Sequence, residues 1–111
     1  MARLEEYRVC VKRVLEKYSS HKPAYGDVEI QVISDTEHGH YQLVSVGWHN
    51  QQRVYGCVLH IDIKDDKIWI QHDGTEIGIA NELVALGIPR EDIVLGFHAP
   101  YKRQFAGFSA N

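Results

Sequence analysis

The first apolar pattern in the chain has helical spacing and forms a single stripe. Its members are Leu4, Tyr7, Val11, Val14 or Leu15, and Tyr18. The stripe predicts a helix from about Ala2 to Ser20. Residues 19–23 end the helix, because Pro23 drives the residue before it out of the α region.

Alternating apolar and polar residues then predict strands joined by short turns. The strands are residues 28–32, His40 to Trp48, Arg53 to Ile63, and Ile68 to Gln71 or His72. Short connections favour antiparallel hairpins between neighbours. The pattern therefore predicts a four-stranded antiparallel meander.

The predicted hairpin tips, Asn50-Gln51 and Asp65-Asp66, assign the side chains to two faces of the sheet. One face collects apolar residues and is the predicted core side: Val44, Val46, Tyr55, Cys57, Leu59, Ile61, Ile63, Ile68 and Ile70. The opposite face mixes apolar and polar residues: Tyr41, Leu43, Val58, His60, Asp62, Trp69 and Gln71. Such a mixture suits either an interface with another protein or a surface covered by the C-terminal segment, and both alternatives stay open.

A second helix follows, with Asp73 or Thr75 as the predicted N-cap and Gly87 as the residue that ends it. Its apolar positions are Ile77, Ala80, Leu83, Val84 and Leu86. Pro89 then begins a short helical turn over residues 89–92.

The C-terminal part is less regular. Ile93-Val94-Leu95 is either a buried segment or an edge strand, and the tail from Phe97 to Asn111 is predicted to be irregular. The chain as a whole is expected to form one α+β domain over residues 1–111: an N-terminal helix, the meander sheet, a C-terminal helix, a short helical turn and a tail.

Composition supports a folded domain: of 111 residues, 44% are hydrophobic and 24% charged. No apolar run approaches the roughly 20 residues that a bilayer requires, and the chain is charged from its start, so a cytoplasmic protein without membrane contact is expected.

Charge is unevenly distributed. The net charge is −3, yet residues 1–24 contain six basic and three acidic side chains. A basic first helix could contact phosphates. The simpler interpretation is a solvated helix face with charges three or four residues apart.

Candidate chemistry is sparse. His38 with His40, and His60 with Asp62, form pairs two residues apart, but a metal site requires three or four convergent ligands. Ser45 lacks the sharp turn of a nucleophile elbow, and Cys10 and Cys57 are predicted to be reduced core thiols. We therefore expect no catalytic residue, no metal and no cofactor.

Several runs of the chain, in order and with matching spacing, resemble the XisI family. They are His40–Val44, Val46–Trp48, Arg53–Gly56, His60–Lys64, Lys67–Gln71, Gly74–Glu76, Ile79–Val84, Gly87–Pro89, Glu91–Phe97, and Pro100 with Arg103. The family is known as excision controlling factors of the cyanobacterial fdxN element. The resemblance implies an accessory role in programmed DNA excision during heterocyst development, in which a separate recombinase breaks and rejoins the DNA.

The resemblance also implies a companion, the nuclease-like protein XisH, with DNA contacted only indirectly. We expect the mixed sheet face to bind this companion, the recombinase or a second copy of the chain. The candidate binding residues are Tyr41, Leu43, Val58, His60, Trp69 and Arg103. The alternatives are direct DNA binding through the first helix with Lys102-Arg103, and a small metal-binding domain that uses His60 and Asp62.

Overall fold

The computed structural model describes residues 2–20, 27–75, 78–103 and 107–109. Its elements are α1 (Ala2–Ser19), β1 (Asp27–Asp35), β2 (His40–His49), β3 (Gln52–Lys64), β4 (Lys67–Asp73), α2 (Ile79–Ala85), a 3-10 turn (Arg90–Asp92), β5 (Ile93–Leu95) and α3 (Pro100–Arg103). None of the helices in these ranges is long and apolar enough to cross a bilayer.

The sheet has five strands in the order β1-β2-β3-β4-β5. The first four form the predicted antiparallel meander, and β5 joins β4 in parallel, with Ile68 opposite Ile93. The expected sheet of four strands was thus one strand short. The run 93–95 is the edge strand that the sequence left open, and all three of its residues are buried. The helix α3 lies within the tail that was expected to be irregular.

The core lies between the sheet and the two longer helices. Helix α1 contacts β1, β2, β3 and α2. The largest fully buried side chains of this layer include Leu15 from α1, Tyr41 and Leu43 from β2, Ile61 from β3 and Leu83 from α2. Both helices therefore cover one face of the sheet, and the other face lies outside this core.

A β-bulge at Val58 changes which residues face the core. From His49 opposite Gln52 to Val44 opposite Cys57 the register follows the predicted tip, but Leu43 then pairs with Leu59. The extra residue shifts the rest of β2 by one position against β3. Side chains alternate between the two faces of a strand. The shift therefore places the side chains of β2 that were predicted on the core face on the face opposite to the core residues Leu59 and Ile61 of β3.

The sequence-based faces were therefore wrong at several positions. Tyr41 and Leu43 were placed on the outer face but are fully buried in the core, and Val58 packs against the same core cluster. Conversely, Tyr55 and Cys57 were placed in the core but are exposed.

The turns and caps largely follow the sequence. Asn50, Gln51, Asp65 and Asp66 all have positive φ, as the two-residue hairpins require. The predicted N-cap, Asp73 or Thr75, was wrong: α2 begins at Ile79 with Gly78 in the N-cap position, and Asp73 reaches the helix only by accepting the backbone N–H of Ile79, at 2.8 Å. Gly87 has φ +102 just beyond the end of α2, as predicted. Ile77, the predicted first apolar position of this helix, lies outside the described residues.

Candidate functional site

The outer face is the side of the sheet that α1 and α2 leave uncovered. Its members, from strand pairing and parity, are His40, Gln42, Val44, Val46 and Trp48 on β2, Tyr55, Cys57, His60 and Asp62 on β3, Trp69 and Gln71 on β4, and Val94 on β5. Val44 and Val94 are buried yet lie outside the main core cluster, which agrees with this placement.

The C-terminal segment covers the β4–β5 side of the outer face. The Arg103 guanidinium lies 5.3 Å from the centre of the Trp69 ring, and the Lys64 ammonium lies 4.4 Å from it. Arg103 also donates hydrogen bonds to the carbonyls of His98, at 3.0 Å, and Gly96, at 3.4 Å. Arg103 therefore holds α3 and the preceding turn against Trp69.

At the far end of β2 and β3 the outer face is open. Trp48 is 54% exposed and Tyr55 is 72% exposed. They lie diagonally on neighbouring strands, because Trp48 pairs with Arg53 and Val46 pairs with Tyr55. We call Val46, Trp48, Tyr55 and Cys57 the outer patch.

The outer patch offers contact area rather than chemistry. At the edge of the outer patch, the Arg53 guanidinium lies 5.2 Å from the centre of the Trp48 ring. Partial burial raises the pKa of the Cys57 thiol. A hydrogen bond with the Leu59 backbone lowers it by a smaller amount, so the pKa lies above its ordinary value. This thiol is therefore protonated near neutral pH and is a poor nucleophile.

Between the covered and open parts lies a histidine–aspartate cluster, formed by His40, His60 and Asp62. The Nδ1 of His40 and the Nε2 of His60 lie 2.8 and 2.9 Å from the same oxygen, Oδ1 of Asp62. The other carboxylate oxygen accepts a hydrogen bond from the Gln71 amide at 3.2 Å. All four side chains come from three adjacent strands.

The two kinds of group in the cluster stabilise each other's charged forms. Burial would raise the pKa of Asp62, but hydrogen bonds from His40 and His60, the charge of His60 and the Gln71 amide together lower it. The hydrogen bond to Asp62 and then the carboxylate charge raise the pKa of His40. The cluster thus favours a carboxylate beside protonated imidazole when no other cation is present.

The bulge at Val58 produces this cluster. Without the extra residue, the β2–β3 register would place His40 opposite Ile61, a core residue; with it, His40 lies opposite Asp62. Sequence reasoning paired His40 with His38, which instead contacts Asp35 at 2.8 Å. Only His60 and Asp62 could be grouped from their spacing, since nothing in the alternation indicated a bulge.

The six residues predicted to bind a partner thus separate into two groups. Tyr41, Leu43 and Val58 pack in or against the core. His60 and Trp69 lie on the outer face, and Arg103 lies over Trp69. The residues that sequence reasoning missed, Trp48 and Tyr55, are more exposed than any of the six that lie in strands.

Two cations of the basic first helix already have acidic neighbours. Arg8 forms an ion pair with Glu5 on the same helix, and Lys17 lies 3.0 Å from Glu82 of α2. The guanidinium of Arg103 is occupied by two carbonyls and an indole ring. These pairings weaken the case for phosphate contacts by the same residues.

Comparison with known proteins gives consistent matches over nearly the whole chain. The family described as XisI protein matches residues 1–110. A crystal structure of a XisI-like protein from Anabaena variabilis is 51% identical, with a TM-score of 0.89 over 96% of this chain and 97% of that one. The structure described as fdxN element excision controlling factor XisI, from the same organism, is 33% identical, with a TM-score of 0.85 over 98% and 99% of the two chains. No protein of curated function is significantly similar.

Proposed function

The chain belongs to the XisI family, and from that premise we propose that it is a non-catalytic factor controlling the excision of a DNA element. It acts in the cytoplasm by binding a companion protein through its outer face. The recombinase that cuts and rejoins the DNA is a separate protein, and this chain contacts DNA only through its partners.

The observation that carries the proposal is the exposed pair Trp48 and Tyr55 on the paired strands β2 and β3. Large aromatic side chains are enriched at the centres of protein interfaces, where they bury much area at little entropic cost. Here one of them is bordered by Arg53, which is also typical of such centres. A sheet face with these residues suits recognition of another protein.

The companion proposed is an XisH-like protein with a nuclease fold, as the family resemblance implies. The excision recombinase and a second copy of this chain are the other candidate occupants of the outer patch. Heterocyst development in cyanobacteria is the setting in which such a complex would act.

The test is a binding measurement between the purified chain and its XisH-like companion. Trp48→Ala should weaken binding by about 2 kcal/mol, or roughly thirtyfold, if Trp48 is an anchor. Val9→Ala is the control, because Val9 is equally exposed, at 55%, but lies on α1 in the opposite layer. Circular dichroism would establish that both variants are folded.

Two outcomes would contradict the proposal. Equal affinity of Trp48→Ala and the unmodified chain would remove the outer patch from the interface. Tight binding of the isolated chain to DNA, with an affinity that falls steeply as salt rises, would favour direct phosphate contacts instead.

A further inference from the structure

The histidine–aspartate cluster has the composition and geometry of a metal site. The ligand atoms of His40, His60 and Asp62 all lie within 4.8 Å of one another. Each of the three comes from a paired strand rather than from a loop, since His40 and Asp62 are direct partners across β2 and β3 and His60 is two residues from Asp62. Strand positions hold ligands more precisely than loops do.

The ligand atoms lie slightly closer together than the coordination sphere of a metal ion requires. Bonds of about 2.0–2.2 Å from a tetrahedral zinc ion to nitrogen and oxygen place neighbouring ligand atoms roughly 3.3–3.6 Å apart. In the structure Asp62 Oδ1 lies 2.8 Å from the His40 nitrogen and 2.9 Å from the His60 nitrogen. An entering ion would replace the two imidazole protons, and each nitrogen would have to move roughly 0.5 Å or more away from Oδ1 to bind it.

Neighbouring amides orient two of the three ligands. Gln71 donates to Asp62 Oδ2 at 3.2 Å, which leaves Oδ1 directed at the two imidazoles. The amide of Gln42 lies 3.4 Å from Nδ1 of His60. After a half-turn of that amide, its oxygen would accept the Nδ1 proton and fix the tautomer whose Nε2 lone pair faces the ion. Metal-binding histidines are usually oriented by such a partner on the other ring nitrogen.

We propose that His40, His60 and Asp62 bind a divalent transition-metal ion, with zinc the best-suited ion, and leave one coordination position open to solvent. Two imidazoles with one carboxylate suit zinc and its neighbours rather than magnesium or calcium, which prefer oxygen ligands. The open position faces outward, because the side chain of His40 is 58% exposed whereas that of Asp62 is 13% exposed.

The ion would have a structural effect on the outer face. It would join β2 to β3 at the paired residues His40 and Asp62, in the regular ladder that follows the bulge. It would also lie next to Trp69, the strand partner of Asp62, and so next to the C-terminal segment that Arg103 holds in place. Metal binding should therefore raise the melting temperature of the chain.

The first experiment is a calorimetric titration of the untagged, chelator-treated chain with Zn²⁺ at a pH of about 7.5, where an ordinary imidazole is mostly neutral. We expect one ion per chain with a Kd of about 1 µM or below. His40→Ala and His60→Ala should each weaken binding at least about tenfold, and Gln71→Ala by roughly tenfold through the loss of orientation.

The matched control is His38→Ala. His38 contacts Asp35 at 2.8 Å, the same distance as His40 to Asp62, but no third ligand joins that pair among the described residues. Its removal should leave zinc affinity unchanged. If His40→Ala were misfolded, Asp62→Asn, which preserves the side-chain shape, provides the second variant.

Co²⁺ gives an independent readout, because its visible absorption reports the ligand geometry around the ion. A spectrum of bound, low-symmetry cobalt that disappears in His60→Ala and persists in His38→Ala is the expected result. The absence of one-to-one zinc binding would overturn the proposal. So would a zinc affinity that either His40→Ala or His60→Ala leaves unchanged in a folded protein.

Discussion

The hydroxyl of Tyr7 donates a hydrogen bond to Oδ2 of Asp92, and both residues are almost fully buried. The bond joins the first helix to the 3-10 turn before the last strand, 85 positions later in the chain. Burying a carboxylate is costly unless hydrogen bonds compensate it. Tyr7 thus helps to hold the C-terminal segment against the core.

Replacement of Tyr7 by Phe should lower the free energy of unfolding by about 1.5–3 kcal/mol, the usual worth of a hydrogen bond to a charged group. Urea denaturation monitored by circular dichroism would measure the change. Tyr101→Phe is the control, because Tyr101 is 68% exposed. Equal destabilisation by the two substitutions would contradict a special role for the Tyr7–Asp92 bond.

The bulge at Val58 makes a second prediction about which residues carry the core. Leu43 is fully buried, so Leu43→Ala should cost about 2–5 kcal/mol of stability. Tyr55 is exposed, so Tyr55→Ala should change stability by less than about 0.5 kcal/mol. An uninterrupted register of β2 and β3 would predict the reverse order, and the same denaturation measurement distinguishes the two.

The sequence predicts the order of the elements well because local signals specify them. The helical stripe of α1, the two-residue turns at Asn50-Gln51 and Asp65-Asp66, and the glycine that ends α2, Gly87, each depend on neighbours a few residues away. Each of these predictions is confirmed.

The candidate site could not be predicted in the same way, since it depends on one extra residue. Val58 fits the strand pattern as well as its neighbours do, and nothing local marks it as unpaired. The bulge nevertheless decides that Tyr41 is buried and that His40 meets Asp62. The parallel pairing of β5 is likewise a long-range choice that three apolar residues cannot specify.

Gly47 on β2 lies close to the backbone of β1, whereas Gly56 on β3 faces open space. A methyl group at Gly47 would collide with the carbonyl oxygen of Asp27 and lie 2.6 Å from Cα of Val28, whereas a methyl group at Gly56 would meet nothing within 4 Å. Gly47→Ala should therefore destabilise the chain by about 1–3 kcal/mol. Gly56→Ala should be neutral or stabilise it by up to about 1 kcal/mol through the unfolded state. Similar melting temperatures for the two variants would contradict this geometry.

Tyr18 predicts a pH dependence at the alkaline end. Burial, the hydrogen bond to Glu82 and the negative charges of Glu82 and Asp73 raise the pKa of Tyr18 from 10.0 to about 12. Between these values the folded chain retains a proton that the unfolded chain has lost. The stabilisation is thus complete below pH 10.0 and is lost as the pH rises through about 12.

Ultraviolet absorbance of tyrosinate would measure this titration as the difference between the unmodified chain and Tyr18→Phe. Glu82→Gln should lower the pKa of Tyr18, because it removes a nearby negative charge. A tyrosine titration that Glu82→Gln leaves unchanged would show that Glu82 does not contribute to the raised pKa of Tyr18.

Arg103 predicts how firmly the C-terminal segment covers Trp69. Arg103→Ala removes two hydrogen bonds to the carbonyls of His98 and Gly96 and the cation beside the Trp69 ring. We expect a loss of about 1–2 kcal/mol in stability. Detachment of α3 should also increase the accessibility of Trp69 to acrylamide.

Fluorescence quenching can isolate this effect, since Trp48→Phe leaves Trp69 as the only tryptophan of the chain. In that background Arg103→Ala should increase quenching, and Arg103→Lys should restore protection only in part, because an ammonium group cannot reproduce the fork of hydrogen bonds. Arg53→Ala is the matched control: its guanidinium lies 5.2 Å from the ring of Trp48 rather than Trp69. If Arg103→Ala left quenching unchanged, contacts other than Arg103 would hold the segment over Trp69.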